Sequence, residues 1–146
     1  MDNIKLQIKY HSKVIDKLCQ AVGVGDWIDL RSAEDITLTA GSFHLVSLGV
    51  SIALPKGYEA IIVPRSSTFK NYGLLQTNSI GIIDESYSGE NDIWMLPVFA
   101  TRDTHISIND RICQFRVFKH QPVIDFIEVE NMVSLDRGGF GSTGIQ

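Results

Sequence analysis

Short runs of alternating apolar and polar residues dominate the chain. "KLQIKY", "DITL", "HLVSLGVSIAL", "YEAIIVP", "SIGIID", "IWMLPVF", "HISI", "RICQFRVF" and "DFIEVE" are rich in β-branched and aromatic residues and mostly follow period two. That spacing puts apolar side chains on one face of a strand. Turn-formers stand between the runs, at Ala40–Gly41, Pro55–Gly57, Tyr87–Asp92 and Asn109–Asp110. The pattern predicts an all-β subunit, a distorted jelly roll or β-barrel. One helix is expected, over "VIDKLCQAV" from Val14 to Val22, stopped by Gly23 and Gly25. No repeat and no linker divides the chain.

The tail breaks the pattern. After "DFIEVENM" the alternation fades, and "DRGGFGSTGIQ" holds four glycines with one Arg and one Phe. Too polar to bury much surface by itself, it is expected to be mobile when empty. A frayed terminus would look like this; so would a lid that closes with Arg137 and Phe140. The reading is therefore a β domain over residues 1–135 and a flexible arm over 136–146.

Composition narrows the classes. At 146 residues, with 44% hydrophobic and 21% charged positions, the chain can bury a core. The first residues carry no apolar stretch with a small-residue cleavage site, and no run approaches the ~20 apolar residues that span a bilayer. Cys19 and Cys113 are far apart, which fits reduced thiols and a cytoplasmic location. His11, His44, His105 and His120 are equally scattered, against a local zinc motif. A net charge of −4 argues against a nucleic-acid polymer as partner and leaves room for a small anion held by a few cations and a divalent ion.

Three segments offer chemistry. "PRSSTFKNYG" follows a strand and places Arg65, Ser66, Ser67 and Lys70 together, donors suited to phosphate oxygens, though without the Walker pattern. "DRICQFRV" sets Gln114 among apolar neighbours, where an outward-facing Gln is the simpler reading. In "NSIGIIDESYSGE", Asp84 arrives where the chain should turn: it is either a turn-former or a carboxylate held to work on a substrate.

Taken in order, these segments resemble the trimeric dUTPase family, the deoxyuridine triphosphate nucleotidohydrolases. Five motifs recur: "DWIDLRSA", "PRSSTFK", "NSIGIIDESYSG", "DRICQFRV" and "DRGGFGSTG", spanning roughly Gly25 to Gly144. "LVSLGVSIALPKGYEAIIVPRSS" also matches the approach to the second motif. Five ordered motifs are specific where any single one is not.

The resemblance implies hydrolysis of dUTP to dUMP and pyrophosphate, which limits uracil in DNA and supplies dUMP for dTMP synthesis. It implies a β-hairpin from Asn78 to Tyr87 that receives deoxyuridine. Asn78 and the backbone near Gly81 and Ile82 would read the uracil edge, and Tyr87 would crowd out a 2′-hydroxyl. Asp84 would be the general base, activating a water for attack on the α-phosphorus. Arg65, Ser66, Ser67, Gln114 and Arg137 would bind phosphates. Mg²⁺ would bridge phosphate oxygens, with Asp29 acting through a water. A base among phosphates and carboxylates risks a raised pKa, so a nearby metal is expected to keep Asp84 ionised.

The family also implies a homotrimer with active sites shared between subunits, the arm crossing to a neighbour. Some phage members bind regulatory proteins as well, so a second, protein-binding role stays open. The arm here is two residues shorter between its Arg and the paired glycines than a common family form. That leaves two candidates for the lid over uracil, Phe140 or a residue near Trp94 and Met95. The rival enzyme is a dCTP deaminase of the same fold, which needs a catalytic Glu shortly after the third motif, where "DIWMLPVF" has none.

Overall fold

The computed structural model describes residues 3–146, and among them eleven strands and one short helix form. The strands are β1 (Gln7–Tyr10), β2 (Ile28–Arg31), β3 (Ile36–Leu38), β4 (Phe43–Ser47), β5 (Val50–Ala53), β6 (Tyr58–Pro64), β7 (Leu74–Gln76), β8 (Gly81–Ile83), β9 (Met95–Ala100), β10 (Thr104–Ile106) and β11 (Arg111–Lys119). Helix α1 covers Thr68–Tyr72. The fold is all-β, a jelly roll, and no helix among the described residues is long and apolar enough to cross a membrane.

Four sheets wrap one core. The largest runs β2-β11-β6-β8, the next β4-β9-β7, and β1-β5 and β10-β3 are pairs, every neighbouring pair antiparallel. Between them lie Leu30, Val46, Leu48, Ile52, Ile62, Leu96 and Phe115, all essentially solvent-free. Trp94 and Phe115 meet edge to face at 5.1 Å, the geometry that ring quadrupoles favour.

The run "HLVSLGVSIAL" becomes two strands because of Gly49. Its φ is +69°, and a Cβ there would stand 2.8 Å from the Cβ of Ala33. Only glycine lets the chain turn there and pass from the β4 sheet to the β5 sheet. In β11 a bulge between Arg111 and Cys113 buries two consecutive residues, Ile112 and Cys113, and so sets Gln114 opposite Asp29 of β2.

Two expected elements do not form. Val14–Val22 is not helical. Ser12 Oγ accepts the Val14 and Ile15 N–H groups, but the body of the protein takes the next donors. Asp16 N–H goes to Asn109 Oδ1 and Leu18 N–H to the Tyr10 hydroxyl, each at 2.8 Å. "DFIEVE" pairs with nothing in its own chain, and Phe126 and Ile127 are 94% and 84% exposed. Conversely, β2, α1 and β7 form where no element was expected. From residue 121 to the end every position is exposed.

Candidate active site

The first, second and fourth motifs meet at the β2 edge of the large sheet. Asp29 on β2 faces Gln114 on β11 and pairs with two cations: Oδ1 lies 3.3 Å from Arg65 Nε, and Oδ2 3.4 Å from Arg111 Nη1. Arg65 Nη1 also donates to the Arg111 carbonyl, and Gln114 Nε2 to the Pro64 carbonyl at 3.1 Å. Gln114 is thus half-buried and tied to the strand that delivers Arg65, not a free outward side chain.

The loop after β6 is shaped by a residue the motif reading passed over. Thr68 is buried; its hydroxyl accepts the Arg65 N–H and donates to the Ile112 carbonyl, both at 2.9 Å. This clip fastens the β6–α1 loop to β11 and leaves Ser66 exposed at its tip. Ser67 stands at the N-cap of α1 but makes no capping bond with its side chain. Arg111 was also passed over; a cation at a strand start, three residues before Gln114, was the available signal. Burial pushes the Cys113 thiol up, with the Asp29 charge adding to it, so this sulfur stays protonated.

Asp84 closes β8 at the other edge of that sheet. Its Oδ1 accepts the Ser86 N–H at 2.8 Å, an Asx turn. Ser86, by its hydroxyl first and its backbone N–H second, holds the Asp84 carboxyl below the usual carboxylate range, and His120 adds a smaller effect of the same sign. The turn itself thus favours the ionised form of Asp84. An Asp followed two positions later by Ser was the legible signal.

Tyr87 follows in the same turn. Its N–H reaches the Asp84 carbonyl, and its hydroxyl donates to the Ile93 carbonyl at 2.9 Å, which fixes the ring. Asn78 and Ser79 lie in the turn before β8, Ser79 at φ +61°. Gly81 is buried against β6: an added Cβ would stand 3.2 Å from the Ile62 Cβ. Ile82 is 73% exposed on the outer face of β8.

The expected hairpin takes a different form. β7 pairs with β9 and β8 with β6, so residues 77–80 bridge two sheets and do not close a two-strand ribbon. The apolar alternation around Gly81 serves the β6–β8 ladder alone, and from Asn78 to Tyr87 β8 is the single strand. Trp94 has no exposed surface and cannot be a lid, whereas Met95 is 38% exposed. Arg137 and Phe140 lie fully exposed in the arm, whose hydrogen bonds are local turns such as Ser142 N–H to the Gly139 carbonyl.

The chain thus carries two clusters apart from each other. Asp29 is in register with Gln114 and through it with Val63. Ile83 pairs with Ala60, which places Asp84 beside Glu59. Three strand spacings across and four residues along separate the two carboxylates' backbones by roughly 20 Å. Among the described residues no three His, Cys, Asp or Glu side chains gather into a metal cage. Asp29, one-third exposed, pairs with Arg65 and stands opposite Gln114, two of the phosphate-binding candidates.

A family model described as dUTPase matches residues 27–144. A SPbeta prophage-derived deoxyuridine 5'-triphosphate nucleotidohydrolase of Bacillus subtilis is 54% identical over 144 residues, 97% of this chain and 99% of that protein. Among solved structures, the Staphylococcus bacteriophage 80alpha dUTPase described with dUPNHPP is similar at a TM-score of 0.79 and 20% identity, over 98% of this chain and 100% of that one. A mutant dUTPase from phage phi11 of S. aureus, described with a coordinated structural Mg(II) ion, is similar at a TM-score of 0.71 and 16% identity, over 88% and 98%.

Proposed function

The chain belongs to the dUTPase family, and from that premise we propose that it hydrolyses dUTP to dUMP and pyrophosphate, with Asp84 activating the attacking water. One observation carries the reading: an exposed carboxylate at a strand end, kept ionised by its own turn, beside an aromatic ring locked in place by Ile93. A base needs that poise, and it must come within hydrogen-bond reach of its water. Tyr87 occupies the space a 2′-hydroxyl would need, and Asn78, Gly81 and Ile82 meet the uracil edge.

Phosphoryl chemistry asks for positioning and charge neutralisation more than covalent help. Arg65, Ser66, Ser67 and Gln114 hold the phosphates, with Arg137 arriving from the arm. The Thr68 clip presets the loop that presents them. Mg²⁺ suits this donor set, because it keeps its waters and prefers phosphate oxygens with one or two carboxylates; Asp29 would hold it through a water. Bound there, it would neutralise developing charge on the phosphate oxygens.

The roughly 20 Å between the Asp29 and Asp84 positions supports sites composed from neighbouring chains of a homotrimer. So does an exposed apolar face on the β4-β9-β7 sheet, where Phe43, Phe99 and Leu75 stand in one row and Leu45 in the next. The arm, with Phe140 or Met95 as lid, closes over a neighbour's nucleotide. The test is a turnover assay with dUTP, dCTP, dTTP and UTP, with and without Mg²⁺, following pyrophosphate and ammonia. Pyrophosphate from dUTP alone is expected; ammonia from dCTP would replace this reading with a deaminase.

A further inference from the structure

Gln76, the last residue of β7, belongs to none of the motifs, yet it lies directly behind the proposed base-reading turn. Its amide nitrogen makes two hydrogen bonds, to the Ile62 carbonyl at 3.0 Å and to Asn78 Oδ1 at 2.9 Å. The same nitrogen would be 3.5 Å from a Cβ on Gly81. Its amide oxygen is buried and has no donor. The turn around it is tied by backbone bonds, Ser79 N–H to the Gln76 carbonyl at 3.2 Å and Ile80 N–H to the Asn78 carbonyl at 2.6 Å.

These contacts settle the orientation of two amides. A main-chain carbonyl can only accept, so Ile62 must face the Gln76 nitrogen and not its oxygen. That nitrogen carries a second proton, which points to Asn78; Asn78 must then present its oxygen to Gln76. Its own –NH₂ is left as the free group of the turn. The order runs from a fixed backbone acceptor, through Gln76, to a donor on Asn78.

A donor at that place discriminates among bases. The 4-position of uracil is a carbonyl oxygen, which accepts; the 4-position of cytosine is an amino group, which donates. Resting on the reading that Asn78 meets the base edge, we infer that Gln76 is a positioning residue for base specificity: it locks the Asn78 amide so that the site accepts the uracil carbonyl and rejects the cytosine amino group. Without Gln76 the Asn78 amide could turn over and present its oxygen.

The test is the ratio of kcat/KM for dUTP over dCTP in Gln76→Glu, Gln76→Met, Asn78→Ala and the double variant Gln76→Glu/Asn78→Ala, each with its thermal midpoint. A glutamate at 76 can only accept, so it draws the Asn78 –NH₂ to itself and turns the oxygen toward the base. The ratio should fall on the order of 100-fold, mostly through KM, and about 10-fold in the methionine variant, where Asn78 is released but not reversed. In the double variant the ratio should equal that of Asn78→Ala alone. If Asn78→Ala loses selectivity while both Gln76 variants keep the parental ratio, the positioning role is wrong and the reading of Asn78 stands. If Asn78→Ala keeps the parental ratio, that reading falls and Gln76 with it. Should the glutamate variant fail to fold, the methionine variant decides.

Discussion

Ser86 donates its backbone N–H to the Asp84 carboxylate across a 2.8 Å Asx turn, and its hydroxyl acts on the same group. The folded-state pKa of Asp84 therefore lies below its ordinary value. Its contribution to stability is present above the ordinary carboxylate range and is lost as pH falls through the depressed value. The ionised, active form of the base persists over the same range. Ser86→Ala removes the larger of the two causes and should move the acid limb of the kcat profile to higher pH, with the plateau near neutrality little changed. An acid limb that stays in place would mean that Ser86 does not tune the base.

Thr68 tests the β6–α1 loop. Thr68→Val keeps the shape but leaves the Arg65 N–H and the Ile112 carbonyl without their partner. Loss of a buried hydroxyl that serves two groups should cost about 1–3 kcal/mol in denaturant unfolding. The KM for dUTP should rise as well, since Arg65 and Ser66 lose their anchor. Unchanged stability would show that water replaces the clip.

Much of this was legible in the chain, and the exceptions have physical reasons. β4, β6, β9 and β11 follow from alternation because each buries one face in a common core, and β5 alternates as well although Val50, Ser51 and Ile52 are all buried. Val14–Val22 has helical spacing, yet the Leu18 N–H, which a helix would give to the Val14 carbonyl, goes to the Tyr10 hydroxyl, and Asn109 holds the Asp16 N–H. "DFIEVE" alternates like a strand but finds no partner in its own chain; alternation says that a face needs covering, not which chain covers it. β7 reads "LLQ", two adjacent leucines of which one is buried and one exposed, so no alternation shows. The roles proposed for Asp84 and Asn78 come from resemblance, whereas those proposed for Ser86, Thr68 and Gln76 required geometry.

Complementation between subunits tests the shared site. Asp84→Asn and Asp29→Asn proteins should each be nearly inactive. If every site takes Asp84 from one chain and Asp29 from another, random co-assembly leaves about one site in four with both carboxylates. Co-refolded mixtures should then regain a corresponding share of parental turnover. No gain over the separate variants would place both residues in a single chain's site.

Truncation after Leu135 isolates the arm. Residues 136–146 are all exposed and lie outside the core, so the thermal midpoint and the proposed trimeric mass should hold. Turnover should collapse, because Arg137 no longer reaches the phosphates and water is no longer excluded. In the intact protein, hydrogen exchange should show the arm unprotected when empty and protected with a non-hydrolysable dUTP analogue plus Mg²⁺. Full activity without the arm would make it only a frayed end.

The most direct measurement is pyrophosphate release from saturating dUTP and Mg²⁺ by the parent and by Asp84→Asn, side by side. The substitution keeps the size and the polar outline of the side chain and removes the charge, so fold and nucleotide affinity should be retained. Turnover should fall by ~10²–10⁴-fold, the usual loss for a general base. A variant that binds dUTP and hydrolyses it at close to the parental rate would contradict the assignment of Asp84 as the base.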